Sequence, residues 1–592
     1  MYNPGIGGWE RIRRFTWLHT ASIFLRNNAT SSNLIGLIGA GCALCLLLGL
    51  PVSQNWNIRL PFYLVIFVWA MLRPRMALYL MAFAVPWGSL DTMDVAGLHL
   101  NAADILLLPL SVGWLLSFIT PAGGRPQEPL PHIYPTPTRT PYSAQLQNLA
   151  SESTPGVGPC DRSRSPVPTY LVLAIMLWLG TMLLSMTAAI NISSSLKEII
   201  KWLEFLVLLL LGSQYIRTRQ HIWTLVTLIC LAGITQACFG YMQAAFDLGP
   251  VSFIRDTSLR VYGTFDQPNP YAGYINIPLS IALAVLLLGS NWTTRIPAAL
   301  TVVLLAAAEY LTQSRGGELA IAIALLFIVL VGMPRLRKIL VLLIPAGLAL
   351  VELFFAGWIP TYVLNPLLKN LGLIQISFTF PTTEDFSTAE RLAHWIAGIR
   401  MFLSHPLLGV GIGNYPDAYS RYFITIFINS LGHAHNYYIN IAAETGAVGL
   451  TAYLFFLMAM FVAGGSAYSS IHKRYQVQVQ TSGSIPKPKV LPPFGTHNKL
   501  LLLLQPWQMV AYYQPKGTYV RLHLLQNDRA LALGLLAALV SICAHNLVDD
   551  LYVHSMTNLI ALLLVALIRL EGGIAKTMVS EERHFDYTSI KA

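Results

Sequence analysis

"PTYLVLAIMLWLGTMLLSMTA", Pro168–Ala188, carries no charged side chain. An α-helix of about 20 residues is long enough to cross the hydrocarbon core of a bilayer. Lipid offers no hydrogen bonds, so a run of this kind must satisfy its backbone internally and reads as a spanning helix. Comparable runs recur along the chain. Its 592 residues are 55% hydrophobic and 11% charged, with a mean hydropathy of +0.56; soluble proteins average about 25% charged residues. The composition predicts an all-α, polytopic membrane protein, one helical bundle rather than several globular domains.

Hydropathy places spans at 33–52, 58–73, 75–90, 100–119, 168–188, 196–215, 221–245, 270–289, 294–313, 317–334, 337–357, 435–465, 528–547 and 555–571. The second and third are short, which gives about 12–14 transmembrane helices. The formal charge is +11, and the basic residues sit in short connections, where they record orientation. With both termini in the cytoplasm, Arg73, Arg75, Arg217, Arg219, Arg335, Arg337, Lys338, Lys473 and Arg474 fall inside and the loop "DTMDVAG" (Asp91–Gly97) outside. Arg11, Arg13, Arg14 and Arg26 precede the first run without a small-residue cleavage signature, which favours a retained helix over a signal peptide. No basic stripe with interleaved aromatics appears, so nucleic acid is not an expected partner. Cys42 and Cys45 lack a second pair, and Cys160 lies in a polar stretch, so neither a disulfide framework nor a structural metal is implied.

These runs divide the chain into N-terminal spans (1–119), a Pro/Ser/Thr-rich cytoplasmic linker expected to be disordered (120–167), a transmembrane core (168–357), an external loop (358–434) and C-terminal spans (435–592) with a cytoplasmic insertion at 466–527. Within the loop, Leu392, Trp395, Ile396, Ile399 and Phe402 follow helical spacing and predict an amphipathic helix lying on the membrane surface. His394 and Arg400 fall off that stripe.

Polar groups then collect at one depth. Arg260 precedes one span, Arg315 lies in the turn "SRGG", His433 and His435 open the run "GHAHNYYINIAAETGAVGL" (Gly432–Leu450), and His545 and Asp549 close another. The bland readings are snorkelling arginines and histidines that cap helices. Glu309 and Glu318 flank Arg315 and could simply balance it, while Lys197, Lys201 and Glu204 share a helix face and could line a cavity or pair with each other. The functional reading is chemical. Arginine forks match phosphate oxygens, and a neutral histidine accepts a proton near physiological pH. Together they suit group transfer from a diphosphate-bearing lipid. No HExxH, paired cysteines or external DxD points to a metal, and no cofactor is expected.

"HNYYINIAAETGAVG" places His435, Asn436, Gly446 and Gly449 in a pattern that resembles the O-antigen ligase and polymerase superfamily, which includes bacterial O-oligosaccharyltransferases. "RVYGTFDQPNPYAGY", "SRGGELA" and "ERLAHWIAGIRMFLSHPLLGVGIGNY" resemble three further elements of that superfamily, in the same order. The resemblance covers about 190–465 and implies a GT-C-like helical fold in the bacterial inner membrane. It also implies metal-free transfer of a glycan from undecaprenyl diphosphate to a lipid, glycan or protein acceptor. Carried over, His435 is the catalytic histidine and Arg260 and Arg315 hold the diphosphate; Arg391 matches an arginine at the start of the loop helix. His433, Asn436, Lys201, His545 and Asp549 are supporting candidates.

Two other classes compete. The same motifs occur in proteins described as bicarbonate transporters, and discontinuous helices at the membrane midplane would favour transport. An inactive scaffold would make the same polar groups structural. Glu444, well past His435 on the same helix, is expected to anchor a neighbouring helix, and Gly446 and Gly449 to allow close packing behind the site.

Overall fold

The computed structural model describes residues 56–88, 93–95, 98–119, 167–255, 258–356, 358, 386–424, 426–483 and 516–571. The expected span 33–52, the three cysteines named above, and most of the linker and of the loop's first half lie outside the described residues. In chain order the helices are α1 (Trp56–Leu72), α2 (Pro74–Trp87), α3 (Ala102–Ile119), α4 (Thr169–Ser185), α5 (Ile192–Tyr215), α6 (Arg219–Phe246) and α7 (Pro268–Leu288). There follow α8 (Trp292–Thr312), α9 (Arg315–Gly332), α10 (Pro334–Phe355), α11 (Phe386–Ser404), α12 (Tyr415–Tyr419), α13 (Tyr437–Gly483) and α14 (Lys516–His545), and α15 at 556–571. Two short antiparallel strand pairs, Met93–Val95 with Leu98–Leu100 and Ile254–Arg255 with Ser258–Leu259, decorate the loops. Among the described residues, seven helices are long and apolar enough to cross a membrane. The protein is an all-α polytopic membrane protein.

Helix starts follow local chemistry. Asn191, Thr218 and Ser314 cap α5, α6 and α9 by accepting the backbone N–H groups of Ser193, His221 and Gly317. Centrality does not follow hydropathy, because an apolar face can meet lipid as well as protein: α7 and α14 are 83% buried over their apolar windows, against 39% for the more apolar α4 and 28% for α8. Helix α7 packs on α8, α9 and α14, while α13 packs on α4, α14 and α11. The Trp202 ring lies 5.3 Å from Tyr552, 5.6 Å from Phe456 and 5.9 Å from Trp178, joining α5, α13, α4 and the segment before α15.

The two ends of the bundle differ. At one, Arg219 and Asp528 pair at 2.8 Å and Asn527 accepts the N–H of Ser290. At the other, the starts of α3, α5, α7, α9 and α13 meet the ends of α4 and α14, and the loop carrying α11 and α12 covers them. The insertion expected at 466–527 is in part helical: α13 runs on to Gly483 and α14 begins at Lys516, with Arg529 over the Tyr475 ring at 4.7 Å.

The expected span 435–465 is not one continuous helix. Gly446 has φ +64° and ψ −166°, a region open only to glycine. There the chain segment before α12 presses in: Val410 and Gly411 donate to the carbonyls of Ala443 and Glu444 at 3.0 Å each, and Ala447 donates to Pro406 at 2.8 Å. A Cβ at Gly446 would stand 2.3 Å from the backbone of Leu407. The glycine therefore permits a break and a backbone-to-backbone approach, rather than packing between helices. Gly446→Ala is expected to destabilise the fold by about 3 kcal/mol or more, read as a lowered thermal midpoint of purified protein.

Candidate functional site

Asn436 builds the site's frame. Its Oδ1 accepts the N–H groups of Tyr438 and Ile439 at 3.0 and 3.1 Å, capping α13. Its Nδ2 donates to Leu547 O at 2.8 Å, and Tyr437 N donates to Asn546 O at 2.9 Å. The start of α13 is thereby bolted to the turn that ends α14. His435 precedes this cap at φ +52°, an unusual conformation for a non-glycine residue. Asn440 Oδ1 accepts Ala434 N at 3.1 Å, and Trp395 of α11 donates its indole N–H to His435 O at 3.1 Å.

This posture aims two imidazoles at one carboxylate. His435 Nδ1 is 3.4 Å from Asp549 Oδ1, and His433 Nε2 is 3.6 Å from the same atom. The two rings stand 4.5 Å apart at 81°. His435 Nε2 and His433 Nδ1 are buried without a hydrogen-bond partner. Burial alone would raise the Asp549 carboxyl, but the hydrogen bond from His435 and the charges of His435, His433 and Arg391 outweigh it, so Asp549 is held well below the usual carboxylate range. His433 is lowered, chiefly by burial. With Asp549 taking the Nδ1 proton, His435 presents Nε2 as a lone pair, an arrangement suited to general-base chemistry.

The other sequence candidates sit on neighbouring elements. His545 is 1% exposed with neither ring nitrogen bonded. A Cβ at Gly316 would lie 2.7 Å from Val548 and 3.0 Å from His545 Nε2, so the glycine after Arg315 lets the first turn of α9 lie against the end of α14. Arg315 opens that turn and is exposed. Arg260 is drawn to the same turn: its Nε donates to Thr312 O at 3.0 Å and its Nη2 to Asn269 Oδ1 at 3.2 Å. Ser314 Oγ donates to that same Asn269 oxygen at 3.0 Å. Lys201 of α5 is paired with Glu198 at 2.6 Å and donates to Tyr552 O at 3.0 Å.

Several expectations need correction. The buried face of α11 is Ala389, Ala393, Ala397 and Met401 with His394, not the Leu392–Phe402 stripe, of which Ile399 is 45% exposed. Small residues at four-residue spacing let α11 settle closely on α13, and this was the available signal for His394. Its ring stacks on Tyr419 at 4.8 Å and meets His435 at 5.4 Å and 80°, and its Nδ1 is 3.2 Å from the Tyr415 hydroxyl. Glu309 accepts a hydrogen bond from Asn276 of α7 at 3.3 Å. Lys201 forms its ion pair with Glu198, while Glu204 interacts with Asp104 and Asn558 and feels the charge of Lys201. Glu444 does anchor a neighbour, accepting Tyr415 N at 3.0 Å at the start of α12.

Over residues 300–454 the chain matches the O-antigen ligase family. That segment holds Arg315, Arg391, His394, His433, His435 and Asn436, whereas Lys201, Arg260, His545 and Asp549 lie outside it. No curated protein matches the chain.

Burial, with the charges of His435 and His433, lowers the His394 pKa to about 4. Between the usual histidine value of about 6.5 and that lowered value, the unfolded chain binds a proton that the folded chain refuses. Stability therefore falls as pH drops through this window. The thermal midpoint of the wild type should decrease from about pH 7 to about pH 4.5, and less steeply in His394→Gln.

Proposed function

We propose that this chain is an O-antigen ligase-like transferase that moves a glycan from undecaprenyl diphosphate onto a lipid, glycan or protein hydroxyl at the outer face of the bacterial inner membrane. The observation that carries this reading is His435 with Nδ1 toward Asp549 and Nε2 unpartnered. In the reaction, the acceptor hydroxyl gives its proton to His435 Nε2. Its oxygen forms a bond to the anomeric carbon, and the bond from that carbon to the diphosphate breaks. Undecaprenyl diphosphate leaves with the electron pair, its charge met by Arg260 and Arg315. Arginine forks at a helix start are suited to stabilise developing phosphate charge, and the reading needs no metal. The basic connections support termini in the cytoplasm and the site outside.

The break at Gly446 is the feature closest to the bicarbonate-transport reading, but the carbonyls of Ala443 and Glu444 beside it are taken by the N–H groups of Val410 and Gly411. The test is incubation of purified protein with undecaprenyl-diphosphate glycan and candidate acceptors. Glycosylated acceptor is the expected product. Bicarbonate uptake by proteoliposomes without glycan turnover would overturn the proposal.

A further inference from the structure

His433, His435 and Asp549 each offer one donor atom, and the three atoms lie within 4.8 Å of one another. The two nitrogen–oxygen separations, 3.6 and 3.4 Å, share a single carboxylate oxygen. The His435 contact is a hydrogen bond but a long one, and the His433 contact is longer still, against about 2.7–2.9 Å for a charge-assisted N–H···O bond. These two separations match edges of a metal-centred tetrahedron, where ligands about 2.1 Å from the ion stand about 3.4 Å apart, and the third, within 4.8 Å, closes to about 4.2 Å or less when both nitrogens reach one ion. Two imidazoles and a carboxylate suit zinc and neighbouring late first-row cations, whereas magnesium and calcium prefer all-oxygen sites.

The cluster is also held in place. The backbone around His435 is fixed by Trp395, Asn436 and Asn440, and Asp549 Oδ1 accepts Asp550 N at 3.0 Å. The charge of Arg391 bears on Asp549 and opposes a cation, which limits affinity without removing the donors.

We propose that this cluster binds a zinc-like divalent cation and that binding silences the base. The second half rests on His435 being the base. A cation takes the lone pair of His435 Nδ1. The neutral ring then carries its single proton on Nε2, the nitrogen that must accept the proton of the incoming hydroxyl. The acceptor becomes a donor, and transfer stops with no covalent change.

The test uses full-length protein in nanodiscs, stripped with EDTA and titrated with zinc chloride against a chromophoric chelator. One zinc per chain is expected. His433→Gln and Asp549→Asn should weaken binding at least about tenfold, His472→Gln should bind as the wild type does, and magnesium should not compete. Wild-type binding no tighter than that of the His433 and Asp549 variants would overturn the site, as would an equal loss in His472→Gln. Monodisperse elution of each variant excludes misfolding as the cause. Glycan transfer is then followed with and without zinc, and loss reversed by EDTA is expected. Zinc held at the cluster with transfer unchanged would leave the site standing and overturn both the switch and the assignment of His435 as base.

Discussion

His435→Ala is expected to abolish glycan transfer, a loss of about 10³-fold or more for the removal of a positioned general base. The variant should still insert and elute as the wild type does, because the helix cap and the bridge to α14 come from Asn436 and the Tyr437 N–H, not from the imidazole. His435→Gln sharpens the measurement. It fills much of the space but cannot take a proton, so it should be equally inactive. Transfer retained in either variant would remove His435 from the chemistry and leave its conformation at φ +52° as a purely structural feature.

Arg315→Lys is expected to cost about 10²-fold in transfer. Lysine keeps the charge but offers a compact ammonium in place of a planar fork, so a retained rate would mean that charge alone suffices. The loss should fall on kcat as well as on KM for the lipid donor, since the guanidinium would meet charge that develops as the diphosphate departs. Arg315 is exposed at the first position of α9, and Ser314 supplies the cap. A folding defect is therefore not the expected cause, and an unchanged thermal midpoint checks that.

The spanning helices were legible because their signal is local: apolar runs of bilayer length bounded by charge. Each expected span among the described residues has a helix in place, with ends shifted by a few residues at most positions. The pairing of His435 with Asp549 was not legible, because it joins residues more than a hundred positions apart through the backbone geometry of two helix ends. Residue types could nominate both side chains but not their contact. His394 was hidden by its neighbours. The larger apolar residues of α11 suggested a lipid-facing stripe, while its alanines, which say little by hydropathy, decide which side faces α13. The role of Gly446 was misjudged for a similar reason: a glycine inside an apolar run reads as a packing device unless its φ is known.

The break at Gly446 has a mechanical consequence. A single rigid rod from Tyr437 to Gly483 would work as a lever, and any tilt imposed on its long arm would swing the imidazole at its tip away from the carboxylate opposite. The loop wedged into the break, bonded to the carbonyls of Ala443 and Glu444, makes the short arm Tyr437–Thr445 part of the roof instead of part of the rod. The same loop also accepts the N–H groups of Ala447 and Val448 at Pro406 and Leu407, so both sides of the break are held to one piece of backbone and the bearing of the imidazole is set there rather than by the far end of the long arm.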